Sequence, residues 1–248
     1  MSGSPVVVAS PVAARVRAAA KRSPVSSGVA RVPFAAPLPL PKVLLCDLDG
    51  TLIDSMPALA ELATEVMEEV FAMPGALARE LYLATCGLPF VQQLEEIFPG
   101  DPRNAAAVAT FEGAKPARCA AIEMSGETRG ALEELKRAGV RIAVSSNNGI
   151  DNVNAFARLA RFDFDMLLGY GDGLAKGKPH LEASERAYSV DRQQMLFVGD
   201  SLHDGEIAER EGVPFVALAT TFSAERFALR FPHVPVLRRF AALPELFQ

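Results

Sequence analysis

Cysteine is scarce in this 248-residue chain: Cys46, Cys86 and Cys119 are odd in number, far apart and without a Cys-x-x-Cys pair. That excludes a disulfide framework, argues against a zinc site and predicts reduced thiols in a reducing compartment. Long apolar runs are missing too. None approaches the ~18 residues needed to cross a bilayer, which predicts a chain with no membrane partner. Acids are absent from Met1 to Cys46, where Arg15, Arg17, Lys21, Arg22, Arg31 and Lys42 carry all the charge. The remainder holds 19 basic against 30 acidic residues, a net charge of -11. A body that acidic lacks the cationic face with which a sequence-independent nucleic-acid binder neutralises phosphates, so no nucleic-acid partner is expected.

What is present is a core. Half of the residues are apolar, and the length suits one α/β domain with a modest insertion. Residues 1–41, rich in Ala, Val, Ser and Pro, precede the first convincing strand and are expected to lie outside the fold. Three explanations compete for them: a disordered extension, a start codon placed too early, or an organelle transit peptide, whose composition is Arg-rich and acid-free. A cytoplasmic location is expected under the first two and an organelle under the third.

From Val43 the pattern alternates. Val43–Cys46 reads as a buried parallel strand ending in a polar turn. Leu59, Leu62, Val66 and Val70 then recur at helical spacing behind Ser55 as a possible N-cap, until Met73-Pro74-Gly75 stops the helix. Between Ala76 and Cys119 only helical signals occur, around 77–86, 90–97 and 104–119. Alternation then resumes with helix 127–138, strand 140–145, helix 150–160, strand 165–168, helix 180–188, strand 195–198, helix 203–211 and strand 215–219. Strands alternating with short helices predict a Rossmann-like parallel sheet covered on both faces. The expected division is a leader over 1–41, an α/β core over 42–54 and 124–248, and an inserted helical cap over 55–123.

In such a sheet, ligands bind beyond the carboxyl ends of the strands. The first strand delivers Asp47-Leu48-Asp49-Gly50-Thr51. Alternation sets Asp47 and Asp49 on one side, where two carboxylates repel unless a cation or a proton lies between them. The next strand ends in Ser145-Ser146-Asn147-Asn148, hydroxyls and backbone N–H groups ahead of a helix that suit an anion. Gly177-Lys178-Pro179 places a cation before a helix start, with Lys176 as a rival two residues earlier. Gly199 to Asp204 adds Asp200 and Asp204. Acids, a lysine, hydroxyls and helix N-termini together predict a magnesium site beside a phosphate site. Cys46 should point into the core by alternation, and Phe222, Phe227, Phe231 and Phe240 read as packing.

With Asp47 to Ser55 reading DLDGTLIDS, then Ser146, then Lys178, then GDSLHD at 199–204, the chain from about Val43 to its C-terminus resembles the haloacid dehalogenase superfamily of phosphotransferases. The resemblance implies a nucleophile at Asp47 that forms an aspartyl phosphate and a general acid and base at Asp49. It implies that Thr51 helps to set Asp49, that Ser146 and the Asn147 backbone N–H bind phosphoryl oxygens, and that Lys178 neutralises charge. Asp47, the backbone carbonyl of Asp49 and Asp200 would ligate Mg²⁺, with Asp204 orienting the site.

An acid at position 49 is what phosphatases and phosphomutases of the superfamily carry. The segment from Asp54 to Leu59 looks like phosphoglycolate-phosphatase-type members, whereas β-phosphoglucomutases place a histidine near position 59. The helical block looks like a cap that closes over substrate. A Mg²⁺-dependent phosphatase acting on a small-molecule phosphate ester is the resulting expectation. Behind it stand a sugar phosphomutase and a non-catalytic phosphometabolite-binding protein. Oligomeric state leaves no mark in the sequence.

Overall fold

A computed structural model describes residues 37–248. Strand β1 (Val43–Cys46) is buried along its whole length, which an isolated amphipathic strand would not be, and it lies inside a parallel sheet. With β2 (Arg141–Gly149), β3 (Met166–Tyr170), β4 (Met195–Gly199), β5 (Phe215–Leu218) and β6 (Val236–Leu237), the order is β3-β2-β1-β4-β5-β6. All pairs are parallel. The chain runs from β1 outward through β2 to β3, then returns to β4 on the other flank of β1. Successive strands therefore diverge at β1 and β4, the position at which open parallel sheets bind ligands.

Register sets what meets there. Cys46 is level with Val144 on β2 and Val198 on β4. One step further, Asp47 comes level with Ser145 and Gly199, so the first residue beyond β1 opens onto both neighbouring strand ends. Its N–H continues the ladder to the Val198 carbonyl at 2.9 Å.

Alternation along the strands supplies both faces of the core. Leu44 and Cys46 pack with Ile142, Val144, Leu196, Val198 and Val216, while Val43, Leu45 and Phe197 are equally buried. Helices α5 (Gly126–Arg137), α6 (Ile150–Leu159), α7 (Lys178–Tyr188) and α8 (Leu202–Glu211) fill the crossovers. The first of these lays Ala131, Leu132 and Leu135 into the same core. Ser125 caps it, its hydroxyl accepting the Thr128 N–H at 3.0 Å, and Gly139, at φ +93°, turns the chain into β2.

The described chain divides into two compact units, Ala58–Arg118 and the remainder. The smaller is helical: most of α1 (Met56–Phe71), then α2 (Gly75–Ala84), α3 (Phe90–Ile97) and nearly all of α4 (Asn104–Cys119). Its interior is aromatic, with Phe90 and Phe111 stacked at 4.0 Å between ring centroids and Tyr82 tilted against both.

Several boundaries differ from the sequence reading. Residues 1–36 lie outside the described residues, and with them the alternatives for a leader. The fold takes in part of the stretch expected to be excluded: Leu38 donates its N–H to the Leu246 carbonyl at 2.7 Å and packs on the core. Strand β2 runs four residues past its expected end at Ser145. It does so through a bulge, because Ser145 pairs with Leu168 and Gly149 with Tyr170, so β2 uses four steps where β3 uses two. β6, the short helix α9 (Ala224–Arg230) and the 3-10 turn Phe240–Phe247 were not foreseen. The phenylalanines expected to be packing residues, Phe222, Phe227, Phe231 and Phe240, are all buried.

Candidate active site

The turn after β1 is tight because the Leu48 carbonyl accepts N–H bonds from Thr51, Leu52 and Ile53. Gly50 sits at φ +82°, and a Cβ there would lie 2.1 Å from Asp200 Oδ2. Only glycine lets this turn press against the end of β4. Gly199 plays the matching part on the other side, since its Cβ would come within 2.5 Å of Asp204 Oδ2. The two glycines bring Asp47, Asp200 and Asp204 together, with one carboxylate oxygen of each within 4.8 Å of the others.

Lys176 bridges two members of this trio. Its ammonium lies 2.5 Å from Asp47 Oδ1 and 2.8 Å from Asp204 Oδ1, in a pairing almost closed to solvent. Burial alone would lower its pKa, but Asp204 and Asp47 outweigh that and raise it above the ordinary lysine value. Asp47 is pushed up to about 6, chiefly by burial, with Lys176 opposing and Asp204 reinforcing the shift. Asp200 is raised well above the usual carboxylate range by burial, then by Asp47 and Asp204. Three carboxylates face a single ammonium, an excess of two negative charges when all are ionised. Hard oxygen donors with that excess of negative charge match a divalent cation such as Mg²⁺.

Asp49 lies outside this trio. Its carboxylate accepts the Ser55 hydroxyl at 2.5 Å and the Asn148 amide at 2.7 Å, which fix both oxygens. Ser55, read as an N-cap, thus gives its proton to Asp49. Ser146, buried at the β2 bulge, accepts the Asn148 N–H at 3.1 Å, and the Asn147 side chain accepts the Lys176 N–H at 3.2 Å.

Two expected positions change. The lysine beside Asp47 is Lys176, the rival, and not Lys178. Lys178 is the first residue of α7, largely exposed, with Glu182 one turn on at 3.7 Å. Pro179 marks that helix start, so Lys178 belongs to a solvated first turn, and the lysine still in the loop is the one free to reach inward. Thr51 places its hydroxyl 3.4 Å from Asp47 Oδ2 and 3.3 Å from Asp200 Oδ1, between those two acids. Asp204 faces both the helix start and the lysine. In a capping box its carboxylate accepts the Ser201 N–H at 3.1 Å while its other oxygen meets Lys176.

Sequence reasoning missed Thr220 and Thr221, just beyond β5. Thr220 donates to the Gly50 carbonyl at 2.6 Å, and Thr221 donates to Asp200. Their signal was available, a hydroxyl pair at a strand's carboxyl end beside β4. Cys46 is core, its thiol pKa raised by burial. His203 is only partly exposed, and burial lowers its pKa. Among the described residues, no helix is long and apolar enough to cross a membrane.

The chain matches the haloacid dehalogenase-like hydrolase family over residues 44–218. A phosphoglycolate phosphatase from Rhodobacter capsulatus is 28% identical over 207 residues, 81% of this chain and 94% of that protein. Phosphoglycolate phosphatase 1 from Pseudomonas aeruginosa is 30% identical over 200 residues, covering 75% and 72%. A hydrolase from Pseudomonas syringae has a similar fold, with a TM-score of 0.71 at 17% identity over 83% of this chain and 97% of that one. With the acids and lysine of the site carried on the ends of a Rossmann-like sheet, the chain belongs to the haloacid dehalogenase-like hydrolases and is a phosphoric monoester hydrolase of the phosphoglycolate-phosphatase-like group.

Proposed function

We propose that the chain hydrolyses a small phosphorylated metabolite, phosphoglycolate or a similar organic phosphate, with Mg²⁺ and through an aspartyl phosphate on Asp47. The observation that carries this reading is the pairing of a buried Asp47 with Lys176 inside a trio of carboxylates at the end of β1. The names of the relatives, phosphoglycolate phosphatases, support the substrate class.

Asp47 attacks phosphorus, forming the acyl phosphate bond as the ester P–O bond breaks. Asp49 gives the leaving oxygen its proton, then takes one from the water that hydrolyses the acyl phosphate. Its two hydrogen bonds, from Ser55 and Asn148, hold the carboxyl group in one orientation for both transfers. Ser146 and the Asn147 N–H take the transferring oxygens. Lys176 lies against the nucleophile and matches negative charge as it spreads in the transition state. Asp47, Asp200 and Asp204 would hold the cation, which supplies charge neutralisation when bound.

The test is a screen of phosphate release over phosphorylated metabolites, with and without Mg²⁺. The expected result is Mg²⁺-dependent release from a small organic phosphate that Asp47→Asn abolishes. Isomerised sugar phosphate in place of free phosphate would replace this reading with a mutase, and turnover surviving in Asp47→Asn would remove the nucleophile assigned.

A further inference from the structure

His180 belongs to no expected set of site residues, yet it is fully buried in the first turn of α7, four positions after Lys176. Its ring spans two strands. Nε2 lies 3.1 Å from the Gly169 carbonyl on β3, and Nδ1 lies 3.0 Å from Ser145 Oγ on β2. A carbonyl only accepts, so Nε2 carries the ring proton and Nδ1 presents its lone pair. Ser145 must then donate, and its single proton is committed to the imidazole. Burial agrees with the neutral ring, pulling its pKa down to about 4.

The consequence falls on the next residues. Where β2 bulges, its side chains reach three other segments: Ser145 bonds to His180, Asn147 accepts from the Lys176 backbone, and Asn148 donates to the carboxylate of Asp49. Ser146 accepts the Asn148 N–H, which leaves its own proton for an anion. The bulge interrupts the ladder between Ser145 and Gly149, and the His180 ring bridges that gap, joining Ser145 on β2 to Gly169 on β3.

We propose that His180 is a positioning residue of the phosphate site. It turns Ser145 inward, fixes the bulge so that Ser146 and Asn147 meet the phosphoryl group, and ties that segment to the loop bearing Lys176. The inference rests on the phosphatase reading above.

The test uses the best substrate of the screen, with inorganic phosphate as a competitive inhibitor, in the full chain with Mg²⁺. Ser145→Ala removes the donor at little cost in packing and is expected to weaken phosphate inhibition and lower kcat, each by about tenfold, the worth of one buried hydrogen bond. His180→Gln, whose amide still reaches Gly169, should give the same loss, and the double variant should be no worse than either single one. His180→Asn, whose Oδ1 still accepts from Ser145, should recover most of it. A melting temperature that falls in folded Ser145→Ala and His180→Gln while kcat and phosphate inhibition stay at wild-type values overturns the proposal and leaves the phosphatase reading intact. A wild-type chain that neither turns over a phosphate ester nor binds phosphate overturns both.

Discussion

Two lysines two positions apart meet different physics. Lys176 has lost its water and is matched by two carboxylates, whereas Lys178 stands in solvent on a helix's first turn. Replacing Lys176 by Met removes charge at the nucleophile, and kcat should fall by about 10²-fold or more, the usual cost of one group that stabilises the transition state. Lys178→Ala should keep kcat/KM within about twofold, as surface changes do. Steady-state kinetics on the two variants decides between them, and a large loss in Lys178→Ala would return the role to that residue. Thr221 acts one layer out. Its hydroxyl donates to Asp200, and the same oxygen is the one that lies against Gly50, so the carboxylate is clamped from two sides. Thr221→Val should weaken Mg²⁺ binding by about 10- to 100-fold, as loss of a ligand's hydrogen-bond partner does at metal sites. Calorimetric titration of the protein with Mg²⁺ reads this directly, and unchanged affinity would sink the clamp.

For elements, the ends matter more than the middles. Helix α8 starts in a capping box in which the Ser201 hydroxyl accepts the Asp204 N–H at 3.1 Å and donates to the Asp204 carboxylate at 2.6 Å. Ser201→Ala should lower stability by about 1 kcal/mol, measurable by denaturant titration. It should also weaken Mg²⁺ binding, because the carboxylate it releases belongs to the acidic trio. A stability loss with normal Mg²⁺ affinity would confine Ser201 to capping. The strands that carry the site were legible in sequence because buried parallel strands read as short apolar runs followed by polar turns: Val43–Cys46 before Asp47, Met195–Val198 before Asp200. The end of β2 was not, since Ser, Asn and Gly look like a loop whether or not they bulge and re-enter the ladder at Gly149. Two-residue β6 is too short to show any alternation. Choosing between Lys176 and Lys178 needed the helix start in three dimensions, because both stand near Gly177 and both have the right chemistry.

For the whole molecule, acid stability depends on which buried groups take up protons. In the unfolded chain an imidazole binds a proton near pH 6.5. His180 in the fold resists until about pH 4, held down by burial and by Lys176 against the pull of its bond to Gly169. Between those values the unfolded state binds more protons, so stability falls as pH falls. His180's contribution is complete above about pH 6.5 and lost by about pH 4, and the shift is worth about 3 kcal/mol. Asp165 acts in the same direction at lower pH. Burial opposes its ionisation, but the Ile142 N–H, Arg141 and Lys136 prevail and lower its pKa, so its contribution is lost as pH falls below the usual carboxylate range. Asp47 runs the other way: a carboxyl group raised to about 6, mainly by burial, costs stability as pH rises through about 4 to 6. The opposing trends separate in a comparison of variants, because His180→Gln lacks the imidazole and keeps both acids. Wild type should be the more stable at pH 7, and its advantage should shrink steadily as melting temperatures are followed down to pH 4. A difference between the two chains that stays constant over that range would show that His180 does not carry the titration assigned to it.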